Sequence, residues 1–180
     1  TKLAKAYMDA YDAPSGNLLI NTPRIQLEQM MALKKPLSAE EVMIDGMPFR
    51  KEYHESVILY FDSSDMLRMI EVTKPVYEDP LAGALEAYVK AAEVDVKGSK
   101  IKDIQAGIAA IAAKYFDDGM NKYTLGDMGA AASLIGKAAN ASETAPLSKS
   151  DTTYLYYAGY INMQNENYEE AKNYLNRCRE

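Results

Sequence analysis

A spaced set of small residues recurs in this chain with its register intact. Gly119, Ala131, Ile135 and Ala138 are answered 40 residues later by Gly159, Ala171, Leu175 and Cys178, and the pair Asp127-Met128 is answered by Asn167-Tyr168. A recurrence of this kind marks a supersecondary unit used more than once, each copy too small to bury its apolar side alone. Gly inside a helix costs about 1 kcal/mol relative to Ala. Two glycines at equivalent positions therefore predict a compensating close approach, in which a small residue on one helix admits a large one from its neighbour. A more distant copy, Ala84, Tyr88 and Ala91, precedes Ala131, Ile135 and Ala138 by 47 residues.

Helix punctuation surrounds these positions. Asn21-Thr22-Pro23 places a capping hydroxyl before proline, and Ile25, Leu27, Met30, Met31 and Leu33 follow at helical spacing. Ser38 with Glu41 reads as a capping box opening a short helix. A longer helical pattern runs from Phe49 to Phe61, with Ser63-Ser64-Asp65 restarting or bending it. Asp79-Pro80 predicts the cap and first residue of a helix reaching Val94. After Gly98-Ser99, the residues Ile101, Ile104, Ile108, Ile111, Tyr115 and Gly119 make one buried stripe. Gly126-Asp127 opens the next helix, Asn140–Ser150 reads as a loop, and helices follow at 151–164 and 168–179. Alternating strand patterns are almost absent, so the expected fold class is all-α.

On these residues the sequence resembles the tetratricopeptide-repeat (TPR) family, whose helical hairpins carry a small residue in the first helix and a small-large-small set in the second. Leu155, Ala158, Gly159, Tyr168, Ala171, Leu175 and Cys178 match best, followed by Tyr115, Gly119, Met128, Ala131, Ile135 and Ala138. The resemblance implies antiparallel helical hairpins stacked as a right-handed α-solenoid. Residues 1–46 would be a helical cap or partial repeat, since Ala6, Tyr7 and Ala10 echo Ala87, Tyr88 and Ala91. Residues 47–180 would hold about three hairpins: 47–97, 98–142 and 150–180. The first is degenerate, because Val57 replaces the small residue between Tyr53 and Tyr60 and an insertion spans 62–79. Spacings of 40 and 47 exceed the family's ~34 and look similar to those of exported bacterial members, which implies an extracytoplasmic compartment, periplasmic or otherwise, ahead of the cytoplasm. The last helix ends without a polar capping helix, so its surface is expected to be covered by further chain or, through self-association, by another copy.

Composition removes several functions. The net charge of −6 and pI near 4.9 supply no general attraction to phosphate backbones, so nucleic acid is not an expected partner. The apolar stretches are helix faces interrupted by charges, which argues against membrane insertion. One Cys and one His are too few for a zinc site, and neither a metal nor another cofactor is expected. HExxH, GxSxG, GxxxxGK[ST] and CxxC are all absent. His54 reads as a partly exposed helix residue and Cys178 as an inert core thiol, while Glu40-Glu41, Asp117-Asp118 and Glu169-Glu170 are adjacent rather than facing. An enzyme is not expected.

The aromatic inventory, 14 Tyr and 3 Phe without Trp, is more suggestive. Phe116, Met120 and Tyr123 fall at i, i+4 and i+7, as do Tyr156, Tyr160 and Met163, so each set lies on one side of its helix. In TPR proteins the corresponding side lines a concave groove. The resemblance thus implies a Tyr/Met-lined surface for a partner peptide or protein segment, extended by His54, Ile58 and Phe61. The expected function is a non-catalytic protein–protein interaction scaffold; a small-molecule or glycan-binding repeat protein of the cell envelope is the alternative. The same residues also suit packing between neighbouring repeats, and the pattern alone leaves both roles open.

Overall fold

Asp45-Gly46 sets the architecture of the first part of the chain. In the computed structural model, which describes residues 1–179, both have positive φ, 50° and 76°. That is the conformation of a two-residue hairpin turn whose twist matches antiparallel strands. The strands are β1 (Ser38–Ile44) and β2 (Met47–Tyr53), with Ile44 paired to Met47 across the turn. β3 (Val57–Phe61) and β4 (Leu67–Val72) continue the meander into an antiparallel sheet of order β1-β2-β3-β4. The Asp62 carboxylate makes the last turn by accepting from the backbone N–H of Ser64 and Met66 at 2.9 and 3.0 Å.

The protein is therefore mixed α and β, which corrects both the all-α expectation and the stacked solenoid drawn from it. Phe49, Tyr53, Val57 and Tyr60 are three or four residues apart and mimic a helical stripe, yet they lie on two strands. The run Val57-Ile58-Leu59-Tyr60-Phe61 is short, β-branched and aromatic, a case that periodicity alone cannot assign. Ser38 and Glu41 cap nothing, because both belong to β1. The expected first helix of the 47–97 hairpin does not exist, and the 62–79 segment holds β4.

Ahead of the sheet lie α1 (Lys2–Asp12) and α2 (Arg24–Met30). Two units result: a sheet unit, Asp9–Glu78, and a helical unit made of Thr1–Met8 with everything from Asp79 onward. In the sheet unit, Leu27 of α2 packs on Val57, Leu59, Phe61 and Leu67.

The helical unit contains α3 (Pro80–Val94), α4 (Ile101–Thr124), α5 (Met128–Glu143), α6 (Thr152–Gln164) and α7 (Tyr168–Arg177). Asp79, Asp127 and Asp151 cap α3, α5 and α6, accepting from the N–H of Ala82, Ala130 and Thr153 at 3.1, 3.1 and 2.9 Å. Neighbours in sequence pack together, α4 on α5 and α6 on α7 most extensively. The core joins Ala131, Ile135, Leu155, Ala158, Ile161 and Tyr174.

The recurrent glycines sit at equivalent contacts. Ile135 of α5 presses on Gly119 of α4, and Leu175 of α7 presses on Gly159 of α6, where an added β-carbon would fall 2.6 Å from Leu175 Cγ. The distant copy behaves differently: Tyr88 meets Gly107 on the helix that follows it, whereas Ile135 and Leu175 meet the helix before theirs. Two equivalent hairpins are present, α4–α5 and α6–α7.

Candidate partner-binding face

The outward side of α4 is already occupied. Phe116, Met120 and Tyr123 are half-buried against α6, with the Phe116 ring 4.9 Å from Tyr154 and 5.6 Å from Tyr157, and Tyr123 6.5 Å from Tyr160. These three residues are packing residues between hairpins. Burial raises the Tyr154 hydroxyl's pKa, with Asp151 adding to it.

Moved on by 40 residues, the same positions are Tyr156, Tyr160 and Met163 of α6, and these face solvent. Tyr156 is 50% exposed and Met163 44%, while Tyr160 is half-buried and stacks on Tyr156 at 6.2 Å with ring planes 12° apart. The difference between the two sets is that rings of α6 cover the α4 set, whereas among the described residues no element covers this side of α6. Tyr168, equivalent to half-buried Met128, is likewise 64% exposed.

The second helix of the repeat changes character over the same step. Ala132, Gly136 and Ala139 of α5 are buried, and Gly136 admits the Tyr174 hydroxyl so closely that an added β-carbon would lie 2.7 Å from it. Their equivalents are Lys172 and Asn176 of α7 and Arg179 just beyond it, all exposed. The outer side of the α6–α7 hairpin thus carries aromatic residues on α6 and polar residues of both charges on α7, where Glu169 and Glu170 are exposed as well. The other repeat-packing positions are internal: Ala131, Ala138 and Ala171 are buried, and Leu175 and Cys178 half-buried, with the Cys178 Sγ 3.6 Å from the Thr152 carbonyl oxygen.

His54, Ile58 and Phe61 are not on the first helix of a hairpin, as expected, but in the sheet unit. Phe61 is fully buried, with the Arg24 and Arg50 guanidiniums over its ring at 5.9 and 5.5 Å. Ile58 lies on β3, and His54 follows β2 with its Nε2 3.3 Å from Glu52 Oε2. Glu52 is buried on the core side of the sheet, where Arg24 Nε and Arg50 Nε donate to its Oε1 at 2.9 and 3.0 Å. Burial opposes its ionisation, but Arg24, His54 and Arg50 together hold its carboxyl below the usual range. This is a satisfied structural network rather than an open site.

A second polar knot ties the helical unit. Asp79 accepts from Tyr115 Oη at 2.9 Å and Lys137 Nζ at 2.8 Å as well as capping α3, which links α3, α4 and α5. Burial works against its charge, and Lys137, the Ala82 N–H and Tyr115 outweigh it, so its pKa is lowered. Beside it, a cavity of about 530 Å³ opens among Leu85, Val89, Tyr115 and Ala141.

Among the described residues no cluster of His, Cys, Asp and Glu could hold a metal ion, and no helix is long and apolar enough to cross a membrane. No protein-family model, no curated protein and no solved structure matches this chain. Sequence reasoning missed Tyr154, Tyr157, Lys172 and Arg179; extending the 40-residue register to the outer faces of both helices would have found them.

Proposed function

We propose that the protein is a non-catalytic interaction module, that α4–α5 and α6–α7 are TPR-like units, and that a partner protein or peptide segment binds the Tyr156–Tyr160–Met163 side of α6. One observation carries this reading: an aromatic side that is covered in one repeat is left open at the equivalent place in the next. Tyr supplies large rigid contact area with a polar tip, and Met adapts to an irregular surface, which suits both to recognition.

A photo-reactive benzoylphenylalanine placed at 156 or 163 tests it. Under native conditions these positions are expected to give a defined partner adduct, while position 86, on exposed α3 surface, gives none. Adducts of equal yield at all three positions would defeat the proposal.

A second reading, small-molecule or glycan binding, is favoured by the cavity beside Asp79, whose volume falls within the ordinary range for ligand pockets. Heat released on titration with oligosaccharides, and lost in Val89→Trp, would move the function there.

A further inference from the structure

The sheet unit holds a cavity of its own, about 340 Å³ in volume, and every residue that lines it lies within Asp9–Glu78. Three segments make its walls. The turn at 13–18 is tied to the turn between β2 and β3, where Ser56 Oγ donates to the Pro14 carbonyl oxygen at 3.2 Å. The third segment leaves α2 through Ala32, whose φ of 53° is left-handed, and the Leu33 N–H closes that cap on the Leu27 carbonyl oxygen at 3.1 Å. Leu18, Met31, Leu33, Leu37 and Val57 supply the apolar lining.

One polar side chain on this lining is almost shut off from solvent: His54, which is 10% exposed. Its Nε2 lies 3.3 Å from Glu52 Oε2, and an ionised carboxylate only accepts hydrogen bonds, so that nitrogen carries a proton. Nδ1 has no hydrogen-bond or ion-pair partner among the described residues. No fully buried side-chain nitrogen or oxygen among them lacks a partner either, so Nδ1 reaches open space, and the cavity is the space that His54 borders. The polar network closes around Glu52 and leaves one nitrogen of His54 over.

We propose that this cavity binds a small apolar monocarboxylic acid, its chain among Leu18, Met31 and Leu33 and its carboxylate accepting from the Nδ1–H of a protonated His54. Charge decides among the ligands an imidazole can hold. A neutral ring offers a lone pair at Nδ1 and suits a hydroxyl or ammonium donor, whereas an imidazolium donates there and suits an anion. Of the charged residues that line the cavity, Lys34 and Lys35 outnumber Glu55, all three being exposed. On the far side of the ring, Glu52 already faces Arg24 and Arg50, which reach on to exposed Glu28 and Asp65. A carboxylate thus enters beside an excess of positive charge, and an ammonium would meet like charges. The proton on Nδ1 comes from the acid itself when it enters neutral, or from solvent when it enters as the anion, so both routes end in the same pair. The volume is at the small end for ligand pockets, which excludes an oligosaccharide or a folded segment.

His54 is the single histidine of the chain, so its two ring nitrogens give unambiguous nitrogen NMR resonances. The probes are octanoate, octanol and octylamine, which share a chain and differ at the polar end, each titrated into the full chain by calorimetry at about pH 8, where an ordinary imidazole is neutral. Octanoate is expected to bind about tenfold more tightly than octanol, with octylamine the weakest. As octanoate saturates the site, the Nδ1 resonance should move toward that of a protonated nitrogen while Nε2 stays protonated. His54→Gln should bring octanoate to within about threefold of octanol. Lys34→Glu with Lys35→Glu, both at exposed positions, should weaken octanoate about tenfold with the circular dichroism unchanged. Equal affinity for octanoate and octanol overturns the proposal, as does preference for octylamine or the failure of all three to bind. Octanoate binding that leaves Nδ1 unmoved also overturns it, and this reading, with the lysine pair, decides the matter even if His54→Gln does not fold.

Discussion

Leu175 rests on Gly159 so closely that an added β-carbon would come within 2.6 Å of Leu175 Cγ. The Ala171 carbonyl oxygen lies 3.3 Å from the same point, so the space is bounded by backbone as well as by a side chain. Gly159→Ala therefore sets a small gain in helix propensity against overpacking, and the net cost is expected at about 1–3 kcal/mol. Leu175→Ala in the same chain should recover part of it. Urea denaturation of the two single variants and the double variant gives the coupling.

Phe116 and Tyr156 are repeat equivalents with different surroundings. Phe116→Ala removes the ring that packs on Tyr154 and Tyr157 and should cost about 2–4 kcal/mol. Tyr156→Ala, half in solvent, should cost under about 1 kcal/mol. Similar losses for both would mean that Tyr156 is covered in solution.

Asp79 predicts an acid-sensitive helical unit. Its folded pKa lies below the unfolded value, so its contribution is present above an unfolded carboxyl pKa of about 4 and is lost as pH falls through the folded pKa. Asp79→Asn should remove that dependence below about pH 4 and, because Asn still caps α3 but loses the charge that faces Lys137, cost under about 1 kcal/mol near neutrality. Thermal melts from pH 7 to 2 with both chains provide the comparison.

Glu52 predicts the same sign in the sheet unit. Its pKa is also lowered in the folded state, so protonation at low pH loosens its hold on Arg24 and Arg50. Glu52→Ala leaves two guanidiniums without their shared buried partner and should cost about 3 kcal/mol. Glu52→Gln, which keeps hydrogen-bond acceptors, should cost less. Chemical denaturation of the two variants at pH 7 ranks them.

The two hairpins were legible because their determinants are local and repeated. Asp79, Asp127 and Asp151 each stand where the chain leaves a loop for a helix, and the glycine-to-large-residue distance within a hairpin, Gly119 to Ile135 and Gly159 to Leu175, is the same in both copies. The sheet was missed although it carried its own signal. Asp45-Gly46 between Val42, Ile44 and Phe49 is a strong hairpin turn, but the four-residue spacing of Phe49, Tyr53 and Val57 satisfied a helical period at the same time. Strand pairing is a contact between distant residues, so a local window cannot arbitrate between the two.

The candidate face divides in the same manner. Residue spacing alone settles which residues share a side of α4 and of α6, because helix geometry converts i, i+4 and i+7 into one stripe. It also determined that Lys172, Asn176 and Arg179 stand where Ala132, Gly136 and Ala139 stand one repeat earlier. Packing between distant segments is what covers the α4 stripe, leaves the α6 stripe open among the described residues, and places His54, Ile58 and Phe61 in the sheet unit. Periodicity records which way side chains point from their own backbone; burial depends on which distant segment arrives to meet them.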